Sequence, residues 1–335
     1  MPHQERQTIR AELEFVYGPK QGAACCERLV NRLDDFCTRH KPAPALGTFV
    51  DERDAILITY GDMVTHPGAA PLATLHEFLS AVVKDVISTL HVLPFFPSSS
   101  DDGFSVIDYR TVNPNLGTWE DIERLGQSFK LMVDAVINHV SARSEWFQAF
   151  LRGEEPYHDY FITGDPHADL SAVVRPRTSP LLTPVETSQG TKYVWTTFST
   201  DQIDLNFANP DVLLEIVDVL LGYIAHGARI IRLDAIAYLW KEVGTPCIHL
   251  PQTHAIVRLF RAVVDDVAPG VLIVTETNVP HEENIAYLGD GMNQAHIIYQ
   301  FPLPPLVAHA ILTGSARKLS AWAAGLETPS DRTAF

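Results

Sequence analysis

The chain has 335 residues, 46% of them hydrophobic, which supports a large core and excludes a disordered polymer. Lys and Arg number 25 against 41 Asp and Glu, and the net charge of -16 disfavours partners with phosphate backbones or anionic lipid surfaces. The start, MPHQERQTIR, has no apolar stretch behind it, and no run approaches the roughly 18 apolar residues of a membrane span. The expectation is a soluble cytoplasmic protein, with Cys25, Cys26, Cys37 and Cys247 as reduced thiols, since no C-x-x-C pair is present.

In chain order, residues 8–40 read as two helical stretches. Leu13, Val16 and Tyr17 stand at helical spacing in the first, and Leu29, Val30, Leu33, Phe36 and Cys37 in the second. Gly18-Pro19 separates them and Lys41-Pro42-Ala43-Pro44 ends them. Short apolar runs then alternate with helical stretches. AILITY (55–60) is the first predicted strand, a helix follows over 72–84, and DVISTLHVLPFF (85–96) holds the second strand. Thr118 caps a helix running to Gln127, with acidic residues in its first turn. LMVDAVIN (131–138) is strand three. A helix over 210–225 leads to strand four, ARIIRLDAIAY (228–238), and one over 252–266 to strand five, VLIVTETN (271–278). AHIIYQF (295–301) is strand six. Such alternation implies a parallel sheet, either a barrel or a doubly wound sheet. The absence of G-x-G-x-x-G disfavours the dinucleotide-binding form. The long interruption at about 140–205 reads as a functional insertion.

Titratable residues gather near the predicted strand ends. Asp134 lies in strand three, which Asn138 and His139 close. Arg232 and Asp234 fall late in strand four, and Glu276 closes strand five. In a barrel all strand C-termini face one mouth, so these residues converge. Two carboxylates at one mouth suit glycoside transfer, one attacking the anomeric carbon and the other handling the proton. Asp234 and Glu276 are the candidates. Arg232, two residues before Asp234, points the same way on a strand and is expected to favour its ionised form. Burial is expected to raise Glu276 toward the acid/base role. A single Asp at a strand end is commonly a cap or an ion-pair partner; the ordered set carries the argument.

DAVINH (134–139), IRLDA (231–235) and the Glu of VTETN (274–278) resemble signature regions of the α-amylase superfamily, glycoside hydrolase family 13, over roughly residues 54–335. LPFFPSSSDDGFSVIDYRTVNPNLGTW (93–119), VRPRTSPLLT (174–183) and the stretch 231–255 resemble its sucrose-phosphorylase branch. KEVGTPCIHLPQTHA and TETNVPHEENIAYLG are closer to the glucosylglycerate phosphorylases.

The resemblance implies a TIM-type (β/α)8 barrel, incomplete here at about six strands, with a B-domain insertion after strand three. The implied units are an N-terminal helical extension (1–47), the first part of the barrel (48–139), the inserted domain (140–205) and the continuation of the barrel (206–335). It implies Asp234 as nucleophile and Glu276 as acid/base. Arg232, His139, Asp101, Phe104 and Tyr238 are implied to hold the sugar, and Arg177 the phosphate. The implied partners are a sugar substrate and inorganic phosphate, with no cofactor. No metal is expected, although Asn138 matches a calcium ligand of many amylases. Arg175, Arg177 and Lys241 are candidate cations for a glycerate carboxylate, and His249, His254 and His281 are candidates for the acceptor side.

The family also carries a third essential Asp after strand seven, in a His-Asp pair. SDRTAF (330–335) stands where strand seven is expected to begin, and His309, Glu327 and Asp331 form no such motif. The expectation for the isolated polypeptide is an inactive or poorly folded product. The leading reading is a retaining α-glucosyl phosphorylase. A hydrolase or transglucosidase on the same scaffold, or a non-catalytic sugar-binding relic, stand as alternatives.

Overall fold

The computed structural model describes residues 2–40 and 50–335. The expected break at Lys41-Pro42-Ala43-Pro44 lies outside the described residues. Helix α1 (Pro2–Arg39) is two helices joined at Gly18, whose φ of 77° and ψ of 163° suit only glycine. Pro19 opens the second half, which folds back on the first, so that Arg6 reaches Asp34 at 2.6 Å. The two predicted stretches and their Gly-Pro break are thus both present. Ile9, Leu13, Leu29 and Leu33 are fully buried along the seam and toward the rest of the molecule.

The alternation then unfolds in order: β1 (Ile56–Thr59), α2 (Pro71–Val82), β2 (Thr89–Val92), α3 (Trp119–Ser128) and β3 (Lys130–Ala135). The Thr118 amide donates to Asp121 Oδ2 at 3.0 Å, the reciprocal arm of an N-terminal capping arrangement. After β3 come β4 (His139–Ser141), α4 (Glu145–Arg152), a hairpin of β5 (Leu182–Thr187) and β6 (Gly190–Trp195), and β7 (Gln202–Asp204). Regular alternation resumes with α5 (Pro210–Ala225), β8 (Ala228–Leu233), α6 (Pro251–Val267) and β9 (Leu272–Thr275). Pro210 and Pro251 each open a helix, where the missing N–H costs nothing. Helix α7 (His281–Ile285), β10 (Ile297–Ile298), α8 (Leu303–Thr313) and α9 (Arg317–Ala323) complete the described chain.

Among the described residues, six strands form one parallel sheet in the order β1-β2-β3-β8-β9-β10. The sixth strand is shorter than AHIIYQF implies, with two residues in regular pairing. Beyond it, Ala334 makes a parallel bridge to Ile297. This is the α/β architecture expected from the alternation, with β4–β7 and β5–β6 as separate two-stranded antiparallel pairs inside the long interruption. Among the described residues no helix is long and apolar enough to cross a membrane.

Strand periodicity divides the sheet's two faces. Leu131, Val133, Ile231, Leu233 and Ile273 join the main core beneath the helices. Met132, Ile230, Leu272 and Val274 form a second, smaller cluster on the opposite face. Helix α1 lies against α5 and α6. Arg258 grips Glu12 with two bonds of 2.7 and 2.9 Å, and Arg28 meets Asp211 at 2.5 Å.

The fold-back of α1 generates a test. A Cβ at Gly22 would stand 2.5 Å from Leu13 O and 2.6 Å from Glu14 Cα, both backbone atoms. Gly22→Ala would gain roughly 1 kcal/mol of helix propensity, and the clash outweighs it. The expected result is a net loss of about 1–2 kcal/mol by chemical denaturation; a stabilised variant would contradict the packing described.

Candidate active site

The smaller face of the sheet is apolar at one end and charged at the other. Along β8, Ile230, Arg232 and then Asp234 share that face. Met132 and Asp134 do so on β3, and Leu272, Val274 and then Glu276 on β9. Register sets their heights: Asp134 pairs with Arg232, and Leu233 with Thr275. One more backbone bond continues each ladder, Asp234 N to Ala135 O at 3.1 Å and Glu276 N to Leu233 O at 3.0 Å. Asp234 and Glu276 therefore stand side by side at the C-terminal edge.

One guanidinium nitrogen of Arg232 donates to Asp134 Oδ1 at 2.6 Å and to Asp234 Oδ1 at 2.7 Å. Asp134 Oδ2 in turn meets His91 Nε2 of β2 at 2.7 Å. The Arg232 guanidinium also faces the rings of Phe104 and Tyr299, at 5.6 and 5.5 Å. The Ala235 amide donates to Glu276 Oε2 at 3.2 Å, tying the second carboxylate to the backbone that follows the first.

Two other segments close over this edge. The loop after β2 carries Asp101 and Phe104. Asp101 and Asp102 both adopt positive φ, 55° and 49°, at a cost of about 1 kcal/mol or more per residue. At Gly103 a Cβ would stand 2.9 Å from Pro94 O, so the turn requires glycine there. His139, at the start of β4, has its Nε2 2.9 Å from Phe104 O. The interrupting segment supplies Gln202, whose side-chain amide donates to Asp101 Oδ2 at 2.8 Å.

Together these form a pocket of about 370 Å³. All eight residues expected at the site line it: Asp234, Glu276, Arg232, His139, Asp101, Phe104, Tyr238 and Arg177. Sequence reasoning missed Phe198 and Gln202, which also line it, and His91 and Tyr299, which hold Arg232 and its partner. The Phe198 ring joins the two outer members, with Arg177 over its face at 5.7 Å and Tyr238 edge-on at 5.5 Å. Nothing local marks Phe198 among the aromatics of the interrupting segment. Gln202 sits in a three-residue strand too short for a pattern.

Electrostatics match expectation at one carboxylate and add a second influence at the other. Burial, aided by the negative charge of Asp234, raises Glu276 above the ordinary carboxylate range. Arg232 favours the ionised form of Asp234, as expected. Burial, which the sequence does not show, is the larger effect and raises the group, with Asp134 adding to the rise.

Five further candidates lie outside the pocket. Lys241 is not a free cation for a substrate: its buried ammonium lies 2.7 Å from Asp204 Oδ2 and donates to Asn138 Oδ1 at 2.8 Å. Asn138, the position matched to a calcium ligand, thus holds a lysine. Arg175 is turned to Thr197 O at 3.3 Å and does not line the pocket. His249, His254 and His281 do not line it either. His249 bonds to Tyr287, His254 to Gln294, and His281 lies beside Phe335.

Residues 82–323 match the family described as "Alpha amylase, catalytic domain". The chain belongs to the α-amylase family. The glucosylglycerate phosphorylase of Allomeiothermus silvanus is 54% identical over 330 residues, 98% of this chain and 58% of its own length. That of Escherichia coli strain K12 is 48% identical over 331 residues, 98% of this chain and 59% of its own length. The chain thus spans a little over half the length of these relatives. The crystal structure of sucrose 6F-phosphate phosphorylase from Thermoanaerobacter thermosaccharolyticum superimposes with a TM-score of 0.72 at 30% identity, covering 81% of this chain and 57% of that one. The parallel sheet is accordingly part of the family's barrel.

Two measurements test this geometry. Carboxyl carbon NMR of Glu276 is expected to give a titration midpoint above the ordinary glutamate range, and Asp234→Asn, which removes the adjacent negative charge, to lower it. An unmoved midpoint would mean that the two groups do not interact. Burial lowers the Lys241 pKa against the pull of Asp204. Lys241→Met leaves Asp204 buried without its cation and is expected to cost about 3–5 kcal/mol of stability, read by denaturant unfolding.

Proposed function

We propose that this chain carries the donor-sugar and catalytic groups of a retaining α-glucosyl phosphorylase. The reading is that it takes glucosylglycerate, or sucrose, and phosphate to α-glucose 1-phosphate. The observation that carries it is the 54% identity to a glucosylglycerate phosphorylase along 98% of the chain. The adjacent placement of Asp234 and Glu276 on one pocket supports the chemistry. Neighbouring strands stand about 4.8 Å apart, which suits the roughly 5–5.5 Å carboxylate separation of the retaining mechanism.

In this reading Asp101, His139 and Arg232 hold the glucose hydroxyls, and Phe104 and Tyr238 give it apolar faces. Glu276, whose carboxyl burial raises above its ordinary range, gives its proton to the glycosidic oxygen as the bond to glycerate or fructose breaks. An Asp234 carboxylate oxygen forms the new bond to the anomeric carbon, giving a β-glucosyl ester. A phosphate oxygen then attacks that carbon from the opposite side, the ester bond breaks, and the phosphate proton passes to Glu276. Two inversions give net retention. Arg177, whose Nη1 donates to Pro176 O beside the pocket, is the cation we assign to phosphate. No other cofactor takes part. We assign residues 140–205 as the inserted domain, 48–139 and 206–335 as barrel, and 1–47 as an extension. The four unpaired cysteines support a cytoplasmic setting.

The decisive experiment is product analysis with glucosylglycerate and with sucrose, each with and without phosphate. Both this chain and a version lengthened to span its relatives are assayed. Glucose 1-phosphate that forms only when phosphate is present is the expected result. Free glucose formed equally without phosphate would favour a hydrolase, and sugar binding without turnover a non-catalytic relic. In whichever version is active, Asp234→Ala is expected to lower kcat by about 10^4-fold or more. Retained turnover would overturn the assignment of the nucleophile.

A further inference from the structure

The hairpin at 97–107 presents Asp101 and Phe104 to the pocket. Its arms pair through Ser99 N to Ser105 O at 3.0 Å and Ile107 N to Pro97 O at 2.7 Å. Its tip holds two consecutive non-glycine residues at positive φ, Asp101 and Asp102. Such backbone persists only where the surroundings over-determine it.

The hold comes from the residue just before β7. Oδ2 of Asp201 accepts hydrogen bonds from the hydroxyls of Ser99, at 2.5 Å, Ser100, and Ser105, at 2.9 Å. The Ser99 hydroxyl also meets that of Ser141 on β4, at 2.6 Å. The Asp201 carbonyl accepts from the Ala142 amide at 2.8 Å, so one residue joins the hairpin, β4 and β7. Burial opposes charge on Asp201, and the hydroxyls of Ser100, Ser99 and Ser105 more than offset it, holding the carboxyl below its ordinary range. The next residue, Gln202, is buried and reaches Asp101 Oδ2 at 2.8 Å and Phe104 O at 3.1 Å.

We propose that Asp201 is a positioning residue of the sugar pocket, anchoring the serine-rich hairpin to the interrupting segment so that Asp101 stays where Gln202 meets it. Charge-assisted bonds from three hydroxyls to one carboxylate oxygen make a stronger clamp than neutral ones. The geometry is independent of the reaction; the consequence for sugar binding rests on the donor-sugar reading above.

The test is hydrogen exchange on the full 335-residue chain, with Asp201→Ala and the milder Asp201→Asn beside the unaltered protein, together with calorimetric titration of D-glucose. Exchange at 99–106 is expected to speed by about tenfold in Asp201→Ala and less in Asp201→Asn, while α5 and α6 keep their protection. Glucose affinity is expected to fall by about tenfold in Asp201→Ala. Unchanged exchange at 99–106 would overturn the proposal. So would a rise across the whole chain in both variants, since Asp201 would then serve general stability. Faster hairpin exchange in a protein that binds no glucose even unaltered would support the anchor and count against the sugar reading of the pocket.

Discussion

The site depends on one shared nitrogen. Arg232 bonds to Asp134 and Asp234 through the same guanidinium nitrogen, at 2.6 and 2.7 Å, in a place where either carboxylate alone would be a poorly solvated charge. Removing that cation would leave two acids facing each other across adjacent strands. Its presence lets a chain of polar groups, from His91 through Asp134 and Arg232 to Asp234, run across β2, β3 and β8 within a largely apolar sheet. The rings of Phe104 and Tyr299 border the same guanidinium, so residues from the loop after β2 and from just beyond β10 also meet at this cation.

That arrangement follows from the two-residue period of strands combined with register. Ile230, Arg232 and Asp234 share one face, apolar below and charged above, while Ile231 and Leu233 face the helices. A slip of one residue on β8 would carry Arg232 and Asp234 under the helices and bring Ile231 and Leu233 to the pocket. The apolar packing of Ile231 and Leu233 therefore secures the chemistry as well as the core.

The interrupting segment is tied to this edge by buried polar contacts. Lys241 follows β8, yet its ammonium ends between Asn138, at the end of the β3 region, and Asp204 of β7. Asp204 also accepts from the Thr197 hydroxyl at 2.6 Å, and Asp201 and Gln202 reach the hairpin after β2. These satisfied buried groups bring four distant stretches of chain into one wall. The cost of leaving any of them unpaired makes the arrangement specific.

The alternation of short apolar runs with helical stretches was enough to define the parallel sheet, because strand and helix periods are local properties. Pairs at i and i+2, such as Arg232 and Asp234, declared their common face for the same reason. The family resemblance brought Asp101, Phe104, His139, Tyr238 and Arg177 to the same pocket. Tertiary structure alone decided that Lys241 is consumed by Asp204, whereas Arg177, which the resemblance of its stretch singles out, lines the pocket. It also set the direction in which the Asp234 carboxyl is shifted, since the guanidinium two residues away is visible in the sequence and the burial that outweighs it is not. His91, Phe198, Gln202 and Tyr299 were illegible for the same reason: each acts through a neighbour remote along the chain, and such contacts exist only once the sheet has set register and height.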